Sequence, residues 1–345
     1  MAVTYKESGV DVEVGDEAIR RIIPIVKQSF NQRVLTGLGL FGSLYEITDI
    51  VKQYKEPVLV QSIDGVGTKM AIAGMMNMYA QAGRDMVAHS CNDVLCQGAK
   101  PLTFLDYVAT AKLDPAILED LVRGMTEECS KYGMSVVGGE TAEMPGTYTP
   151  GEWDLAGAVL GVVEKSKILD GSKIQVGDAL IGLSSDGLHT NGYSLARKVF
   201  FDVKKYTVRD VVAELPQSIG ALLMKPHKNY TPYLLPVLDQ YDVHGLAHIT
   251  GGGLVKNIPR ILPEGCDAQI QKGSWEILPI FEAIQHFGQV PENDMYVTMN
   301  MGIGMVVVVP AAQRDAIVQD LKKHSDVNTY VIGEVIAGQR KVCFV

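Results

Sequence analysis

Apolar stretches of strand length alternate along this chain with longer stretches that have a helical period. The run 58–63 is followed by 79–97, where apolar residues recur at helical spacing, and the strand-like run 102–109 is followed by Asp114 and Pro115, which cap and begin a helix. Alternating strands and helices predict an α/β layer architecture. In the first half the pattern predicts helices at 16–30, 79–97 and 115–132, and strands at 58–63, 102–109, 134–137 and 155–163.

A polar stretch between 164 and 177 separates this series from a second one. We place the domain boundary there, which gives an N-terminal domain at 1–168 and a C-terminal domain at 169–345. Ser-x-Asp-Gly follows the first strand of each domain, but four residues are too short a match to establish a duplication. In the second half the pattern predicts strands at 179–183, 244–249, 303–309, 330–336 and 341–344, and helices at 193–201, 230–241, 254–261 and 314–324.

Composition narrows the functional classes. A chain of 345 residues suggests two domains, and a formal net charge of −9 argues against a nucleic-acid partner, because no basic stripe is available to follow a phosphate backbone. No apolar run approaches the roughly 20 residues that cross a bilayer. We therefore expect no membrane partner. The five cysteines form no C-x-x-C pair and fit reduced thiols, so we expect a cytoplasmic location.

The segment 62–69, Ser-Ile-Asp-Gly-Val-Gly-Thr-Lys, is the most informative part of the chain. It lies where a predicted buried strand ends. Its glycines leave backbone N–H groups free to approach an anion, Lys69 can neutralise phosphate, and Asp64 can hold a divalent cation that bridges phosphates. These features predict a nucleotide triphosphate site. A tight turn in which Asp64 only caps the next helix is the alternative.

The predicted helix at 79–97 carries a second group of polar residues. At 100° per residue, Asp85, His89, Asn92, Asp93 and Cys96 fall within one stripe. A solvated helix face is normally rich in Lys and Glu, whereas these side chains are short and either ligate metals or accept hydrogen bonds. We therefore favour a functional face over a solvated one, with Asp93 as a second cation ligand.

Two further loops of the first half fit the same site. The segment 138–146 follows a predicted strand with paired glycines and two carboxylates, so Glu140 is the expected third carboxylate of a magnesium–phosphate cluster. The glycine-rich loop 36–43 is expected to be mobile unless it closes on a ligand. Asp106 lies on the apolar face of its strand and needs a partner or a cation. Ordinary surface loops, and for Asp106 a strand edge in contact with solvent, are the alternatives.

In the second half, 184–194 and 248–253 both follow strands and open helices. The glycines at 251–253 expose N–H donors where the helix dipole favours an anion, which predicts a sugar-phosphate site. A flexible connection would also explain these glycines. His189 and His248 are catalytic candidates, although each could equally be a structural histidine.

Taken in order, these segments resemble the phosphoribosylformylglycinamidine cyclo-ligases, also called aminoimidazole ribonucleotide synthetases. The most specific parts are G-G-E-T-A-E-M-P-G at 138–146 and S-D-G-L-H-T-N-G-Y-S at 185–194, whereas D-G-V-G-T-K at 64–69 marks a wider superfamily of ATP-using enzymes. The resemblance covers essentially the whole chain. The sequence has no fused transferase after Val345, so the form that it resembles is the stand-alone bacterial one.

The resemblance implies two α/β domains: an N-terminal mixed sheet that forms a barrel-like core with a second subunit in a homodimer, and a C-terminal mixed sheet flanked by helices. It implies the fifth step of purine synthesis, in which formylglycinamidine ribonucleotide and ATP give aminoimidazole ribonucleotide, ADP and phosphate. The formyl oxygen is phosphorylated, and an amidine nitrogen closes the ring as phosphate leaves. Such a reaction needs charge stabilisation and positioning more than covalent catalysis.

These considerations give the expected site residues, which fall into four groups. The catalytic residues are Lys69, His189 and His248. ATP is expected to contact Gly37, Gly39, Gly42, Asp64, Gly65, Gly67, Thr68, Lys69, Asn92, Asp93, Gly139, Glu140 and Thr141. Magnesium is expected to bind Asp64, Asp93 and Glu140. The ribonucleotide substrate is expected to bind Asp186, Asn191, Ser194, Thr250, Gly251, Gly252 and Gly253. The identity of the catalytic base stays open.

Some residues depart from the family pattern, and some alternatives stay open. Leu40 stands where another glycine is common, and His89 and Cys91 stand at positions that are more often apolar. Selenophosphate synthetase would need a reactive Cys near the N-terminus, yet the first cysteine is Cys91. Thiamine-phosphate kinase and the hydrogenase-maturation dehydratase do not explain 138–146 together with 185–194. A non-catalytic nucleotide-binding scaffold would need no set of metal ligands.

Overall fold

The computed structural model describes residues 6–345, and residues 1–5 of the predicted N-terminal domain lie outside that range. The chain divides into two compact units, one made of residues 1–94 and 101–166 and the other of residues 95–100 and 167–345. This division falls two residues from the predicted boundary at 168, apart from the segment 95–100, which groups with the second unit.

The first unit is built from a mixed sheet and helices. Its helices are α1 (Val12–Val26), α2 (Thr48–Val51), α3 (Lys69–Met76), α4 (Tyr79–Leu95) and α5 (Pro115–Lys131), and its strands are β1 (Pro57–Gly65), β2 (Lys100–Thr110), β3 (Ser135–Glu143) and β4 (Trp153–Glu164). The strand order is β1-β4-β2-β3, with β1 antiparallel to β4 and β2 parallel to β3.

Two glycines let α4 and α5 pack closely. A Cβ atom added at Gly83 in α4 would overlap the carbonyl of Leu121, and one at Gly124 in α5 would overlap the carbonyl of Ala80. Side chains at these two positions would hold the helix backbones apart. The contact therefore fixes α4, the helix that carries the predicted polar stripe.

The second unit contains a six-stranded mixed sheet flanked by helices. Its strands are β5 (Ala179–Ser184), β6 (Gly245–His248), β7 (Cys266–Ile270), β8 (Ile303–Val309), β9 (Thr329–Ala337) and β10 (Val342–Phe344), in the order β10-β7-β9-β5-β8-β6. Every residue of β8 is buried, as expected for a strand that runs through the core. Its helices are α6 (Tyr193–Arg197), α7 (Ile219–Leu223), α8 (Thr231–Gln240), α9 (Gly253–Asn257), α10 (Pro279–Gly288), α11 (Glu292–Thr298) and α12 (Arg314–Leu321).

The predicted α/β class with two mixed sheets is confirmed. Several elements differ from the predicted ones. The loop predicted after residue 137 is the continuation of β3 to Glu143, since residues 138–143 pair with β2. Asp64 and Gly65 are the last residues of β1 rather than a turn behind it. The unpredicted elements include α2, α3, α10, α11 and β7, whose apolar patterns are short.

Candidate active site

Two of the predicted carboxylates of the first unit flank one histidine. Nε2 of His89, in α4, lies 2.9 Å from Oδ2 of Asp64 at the end of β1 and 3.9 Å from Oδ2 of Asp93 one helical turn further on. The Ser62 hydroxyl donates a hydrogen bond of 3.1 Å to the same oxygen of Asp93. The predicted approach of Asp64 and Asp93 is therefore present in the fold.

The two carboxylates are accessible, while the histidine between them is not. The side chains of Asp64 and Asp93 are 47% and 27% exposed, against 3% for His89. Oxygen-only donors at a surface suit Mg²⁺, which keeps several of its waters and takes few protein ligands. The donor set thus fits a magnesium ion held by Asp64 and Asp93, partly through water.

Charge coupling shifts the pKa values of this pair in opposite directions. Burial lowers the pKa of His89, but the hydrogen bond to Asp64 and the negative charges of Asp93 and Asp64 outweigh it, so the pKa is raised overall. Burial raises the pKa of Asp64, but the hydrogen bond from His89 and its charge outweigh that effect, so the pKa of Asp64 is lowered. Each partner thus stabilises the ionised form of the other.

Lys69 takes a different place from the predicted one. Its side chain is fully buried, and its Nζ lies 2.5 Å from Oδ2 of Asp85, which is also fully buried in α4. Burial lowers the pKa of Lys69, and the charge of Asp85 opposes that shift. Gln81 donates a hydrogen bond of 2.8 Å to the other oxygen of Asp85. In this fold the ammonium group pairs with Asp85 inside the unit, and the contact of Lys69 with phosphate stays a prediction.

The turn between β1 and α3 keeps its exposed backbone. Gly67 has a positive φ of 64°, and Gly67 and Thr68 are exposed directly before the first turn of α3. Helix N-termini carry unpaired N–H groups and a partial positive charge. Gly67 and Thr68 lie at this helix end, and the Gly65 N–H donates to Oδ1 of Asp64 at 2.6 Å, so phosphate binding by these three residues stays a prediction. Asn92 is buried in α4, one residue before Asp93.

The other predicted ATP residues of the first unit line a separate cavity of about 680 Å³. The glycine-rich loop with Gly37, Gly39 and Gly42 lines it, and so do the β3 residues Gly139, Glu140 and Thr141. Among the described residues, those lining the cavity do not include Asp64 or Asp93. Nor does Glu140, within the described part of the chain, belong to any group of three potential ligands whose ligand atoms lie within 4.8 Å of one another. The predicted cluster of three carboxylates is therefore not assembled.

Asp106 lies in the wall of this cavity, on β2 beside Gly139. A Cβ atom at Gly139 would overlap the Asp106 carboxylate, so the glycine makes room for it. Burial raises the pKa of Asp106 to about 7. The sequence indicated that this carboxylate needs a partner or a cation. The raised pKa has the same physical origin, because burial disfavours the charged form of the carboxyl group.

In the second unit, the two predicted histidines meet around a third. Between β5 and α6, His189 has a positive φ of 62° and its ring stacks on that of His227, with ring centroids 4.1 Å apart. Nε2 of His227 lies 3.0 Å from Nε2 of His248, the last residue of β6. His227 was not predicted from the sequence, because this residue lies in an irregular segment, 224–230, that has no periodic pattern.

The predicted substrate residues are only partly gathered. A Cβ atom at Gly251 would lie 3.0 Å from Oδ1 of Asn191, so these two residues are neighbours. The Asn257 side-chain amide donates to the carbonyls of Thr250, Gly251 and Gly253 and folds the glycine turn. Gly252 adopts a positive φ of 104° within it. By contrast, Asp186 pairs with Lys228 at 2.9 Å and borders a different cavity of about 430 Å³, and Ser194 is exposed on α6.

Comparison with known proteins agrees with this architecture. Models for the AIR synthase related protein family match the chain at residues 49–163, as its N-terminal domain, and at residues 175–345, as its C-terminal domain. The fold and the site thus define a member of the AIR synthase related family, and the chain belongs to that family.

Among individual relatives, the chain is 46% identical over 344 residues to the phosphoribosylformylglycinamidine cyclo-ligase of Brevibacillus brevis, covering 100% of this chain and 99% of that protein. Its fold is similar to that of E. coli HypE, a hydrogenase maturation protein (TM-score 0.69, 16% identity, 95% and 93% of the two chains). It is also similar to a HypE structure in complex with ATP (TM-score 0.62, 18% identity, 94% and 90%). None of the helices in the described part of the chain has both the length and the apolar character to span a membrane.

Proposed function

We propose that this protein is an ATP-dependent cyclo-ligase that converts formylglycinamidine ribonucleotide to aminoimidazole ribonucleotide, ADP and phosphate in purine synthesis. The observation that carries the proposal is the full-length match, at 46% identity, to a relative named for this activity. The structure agrees with it in its chemistry, because paired acidic and backbone N–H groups lie together in the first unit and histidines and a glycine turn lie together in the second.

In this proposal the first unit handles the nucleotide triphosphate. Gly67 and Thr68 would turn backbone N–H groups toward phosphate at the start of α3, while the N–H of Gly65, at the end of β1, donates to Oδ1 of Asp64 at 2.6 Å. Asp64 and Asp93 would hold Mg²⁺, which neutralises charge that develops on the phosphates during transfer. His89 would keep Asp64 in place through their ion pair, in which Nε2 and Oδ2 are 2.9 Å apart.

The glycine-rich loop and Glu140 would then contribute from the cavity of about 680 Å³ that they line. That volume falls within the range of small-molecule sites. Apolar side chains of α1 and α5, among them Ile22 and Val122, line the same cavity and give it an apolar wall. We propose that this cavity takes an apolar part of the nucleotide.

The second unit is proposed to bind the ribonucleotide. The turn at 250–253, which the amide of Asn257 holds, and the neighbouring Asn191 form its polar surface. His189 and His248 lie close enough, through His227, to act on one bound molecule. Their role would be to hold protons and hydrogen bonds at the reacting amide.

We also propose a homodimer, because one face of β1 is apolar and exposed. Leu59 and Ile63 lie on that face, on either side of Gln61, and their side chains are 55% and 74% exposed. Ile63 lies opposite Ala158, and Gln61 opposite Leu160, on the antiparallel partner β4. A second copy of the same sheet would cover this face, since exposed apolar patches on sheets mark interfaces.

None of the five cysteines in the described part of the chain forms a disulfide, which supports our proposal of a cytoplasmic enzyme.

The dimer is tested by Ile63→Lys. Light scattering after gel filtration should give a dimer for the wild type and a monomer for this variant, because a lysine would be buried without a partner. Val211→Lys is the matched control, since Val211 is 67% exposed in the second unit. A dimer of unchanged stability in Ile63→Lys would contradict the proposed face.

The activity is tested with purified protein, ATP and Mg²⁺, by measuring ADP release and detecting the aromatic amine of the product. Formylglycinamidine ribonucleotide should support both, and Asp64→Asn should lower turnover by at least about 100-fold, because it removes charge that only the transition state fully uses. Asp49→Asn, an exposed carboxylate on α2, is the control. ADP release with thiamine phosphate but not with the formylglycinamidine ribonucleotide would overturn the proposal.

A further inference from the structure

We propose that His227 is a positioning residue that fixes which ring nitrogen of His248 carries the proton. His227 lies between α7 and α8, His248 ends β6, and their Nε2 atoms are 3.0 Å apart. On its other side, Nδ1 of His227 lies 3.3 Å from the hydroxyl oxygen of Thr190. The structure thus contains a hydrogen-bonded chain that runs from Thr190 through His227 to His248.

The chain is buried and held by its surroundings. The exposed fractions of Thr190, His227 and His248 are 7%, 4% and 6%. The Tyr193 hydroxyl lies 2.6 Å from the carbonyl of Leu223 and 3.0 Å from that of His189, and it shares its proton between them beside Thr190. A side chain at Gly304, on β8, would overlap the ring of His189. The rings therefore occupy a space that the fold keeps open for them.

Elementary hydrogen bonding couples the two imidazoles. When two neutral rings share a bond between their Nε2 atoms, one must donate and the other must accept. If His227 carries its proton on Nε2, His248 must carry its own on Nδ1, and the reverse holds as well. The Thr190 hydroxyl suits both cases, since it can donate to Nδ1 of His227 or accept from it.

The contacts of Thr190 select one of the two arrangements. The Asn191 side-chain amide donates to the Thr190 oxygen at 3.4 Å and occupies one of its two acceptor positions. Accepting that bond polarises the Thr190 O–H group and favours donation of its proton to Nδ1 of His227, which leaves the His227 proton on Nε2. His248 accepts that proton's hydrogen bond at Nε2 and carries its own proton on Nδ1.

The three histidines would also allow a metal site, because their ligand atoms lie within 4.8 Å of one another. The ring orientations disfavour it. The rings of His189 and His227 are stacked at an interplanar angle of 21°. Imidazole lone pairs lie in the ring plane, so two nearly parallel rings do not point at one ion. The rings of His227 and His248 are inclined at 63°, which suits a hydrogen bond.

The tautomer of His248 determines what its ring can do in the reaction, and this step rests on the proposed function. A neutral His248 with its proton on Nδ1 is a hydrogen-bond donor on that side of the ring and is not available there as a base. It would stabilise negative charge on the substrate, such as that on a phosphorylated oxygen. The catalytic base must then be another group.

The test is nuclear magnetic resonance of the whole protein labelled with ¹⁵N-histidine. Long-range ¹H–¹⁵N correlations distinguish protonated from bare ring nitrogens, and the signals of His248 are identified by their loss in His248→Gln. In the wild type, we expect His248 to be protonated at Nδ1 and bare at Nε2. His227→Gln should preserve this pattern, because the glutamine amide can donate to Nε2, and His227→Phe should give a mixture of tautomers.

Three outcomes would overturn the proposal. They are a His248 that is protonated on Nε2 in the wild type, an unchanged His248 pattern in His227→Phe, and stoichiometric zinc binding that shifts the signals of all three histidines. The wild-type spectrum decides even if the phenylalanine variant does not fold. His286→Gln, an exposed histidine on α10, is the control that should leave the His248 signals in place.

Kinetics supply the second measurement. His227→Phe should lower kcat by about 10- to 100-fold, the range typical of residues that orient a functional histidine, while His227→Gln keeps most of the activity. The KM for ATP should change little, since His227 is not one of the residues proposed to bind ATP. If the wild type does not convert the ribonucleotide, the proposed function fails, while the tautomer of His248 remains measurable.

Discussion

The acidic site of the first unit and the histidine cluster of the second accommodate buried polar groups in different ways. In the first, two buried cationic side chains form ion pairs: Lys69 pairs with Asp85, and His89 pairs with Asp64. In the second, His227 lies within hydrogen-bonding distance of Thr190 and His248, and in our proposal neither ring carries a charge. Charge matching depends on pH and on cations, whereas the neutral chain depends on geometry and on the positions of protons.

The largest effect should come from breaking the buried ion pair. Lys69→Met leaves Asp85 charged and buried, which we expect to cost about 3–5 kcal/mol of unfolding free energy. Urea denaturation measures it. The double variant Lys69→Met with Asp85→Leu should recover most of the loss, because an apolar pair of similar volume avoids the desolvation of two charges.

The same variant decides between two roles for Lys69. A direct phosphate ligand could be replaced by methionine with full stability and with loss of ATP binding. The buried pair predicts instead that stability falls first. A Lys69→Met protein as stable as the wild type, with ATP affinity lost in calorimetry, would restore the role predicted from the sequence.

The next effect concerns the helix that carries His89 and Asp93. Gly124→Val should push α5 away from the carbonyl of Ala80 and cost about 2–3 kcal/mol, because overpacking at a close helix contact forces the backbones apart. Gly15→Ala is the matched control, since a Cβ there meets nothing within 4 Å and alanine favours the helix α1. Equal stabilities of the two variants in urea would show that the close approach has no weight.

Local rules predicted the part of the acidic site that depends on local geometry. A rotation of 100° per residue places His89 and Asp93 on one side of α4, and the end of an apolar run places Asp64 at the end of β1. Both follow from the spacing of a few neighbouring residues, and the structure has Asp64 and Asp93 on either side of His89.

The side-chain positions that were not predicted from the sequence depend on contacts between distant segments. Glu140 was expected beside Asp64, but residues 138–143 continue β3 by pairing with β2, and no local pattern encodes that pairing. Lys69 was expected to neutralise phosphate, but its burial beside Asp85 depends on how α4 packs against α3. His227 lies 21 and 38 residues from its partners His248 and His189, in a segment without periodicity, so only the tertiary fold brings it there.

A medium effect should separate the two regions by pH. The pKa of His89 is raised above 6.5, so its contribution to stability is fully present below about pH 6.5 and is lost as the pH rises through the raised value. The pKa of Asp64 is lowered below 3.8, so its contribution is present above that value and is lost as the pH falls through the lowered one. Together the two groups stabilise the fold most between about pH 4 and 6.5.

His89→Met removes this contribution. The stability difference between wild type and variant in urea should be about 1 kcal/mol larger at pH 5.5 than at pH 8.5, a modest value because the half-exposed Asp64 is screened by water. His286→Gln, on the exposed face of α10, should give the same difference at both pH values. A difference for His89→Met that grows toward pH 8.5 would contradict the direction of the coupling.

The smallest effect tests the neutral chain. Thr190→Val removes the hydroxyl partner of Nδ1 of His227 and should cost about 1 kcal/mol in urea, the usual weight of one buried hydrogen bond. Thr126→Val is the matched control, because the Thr126 hydroxyl is buried in α5 with no hydrogen-bond partner among the described residues, so valine there should be neutral or stabilising. In the ¹⁵N spectrum, Thr190→Val should also weaken the tautomer preference of His248. If the two variants are equally stable and the spectrum is unchanged, Thr190 does not direct the protons of this chain.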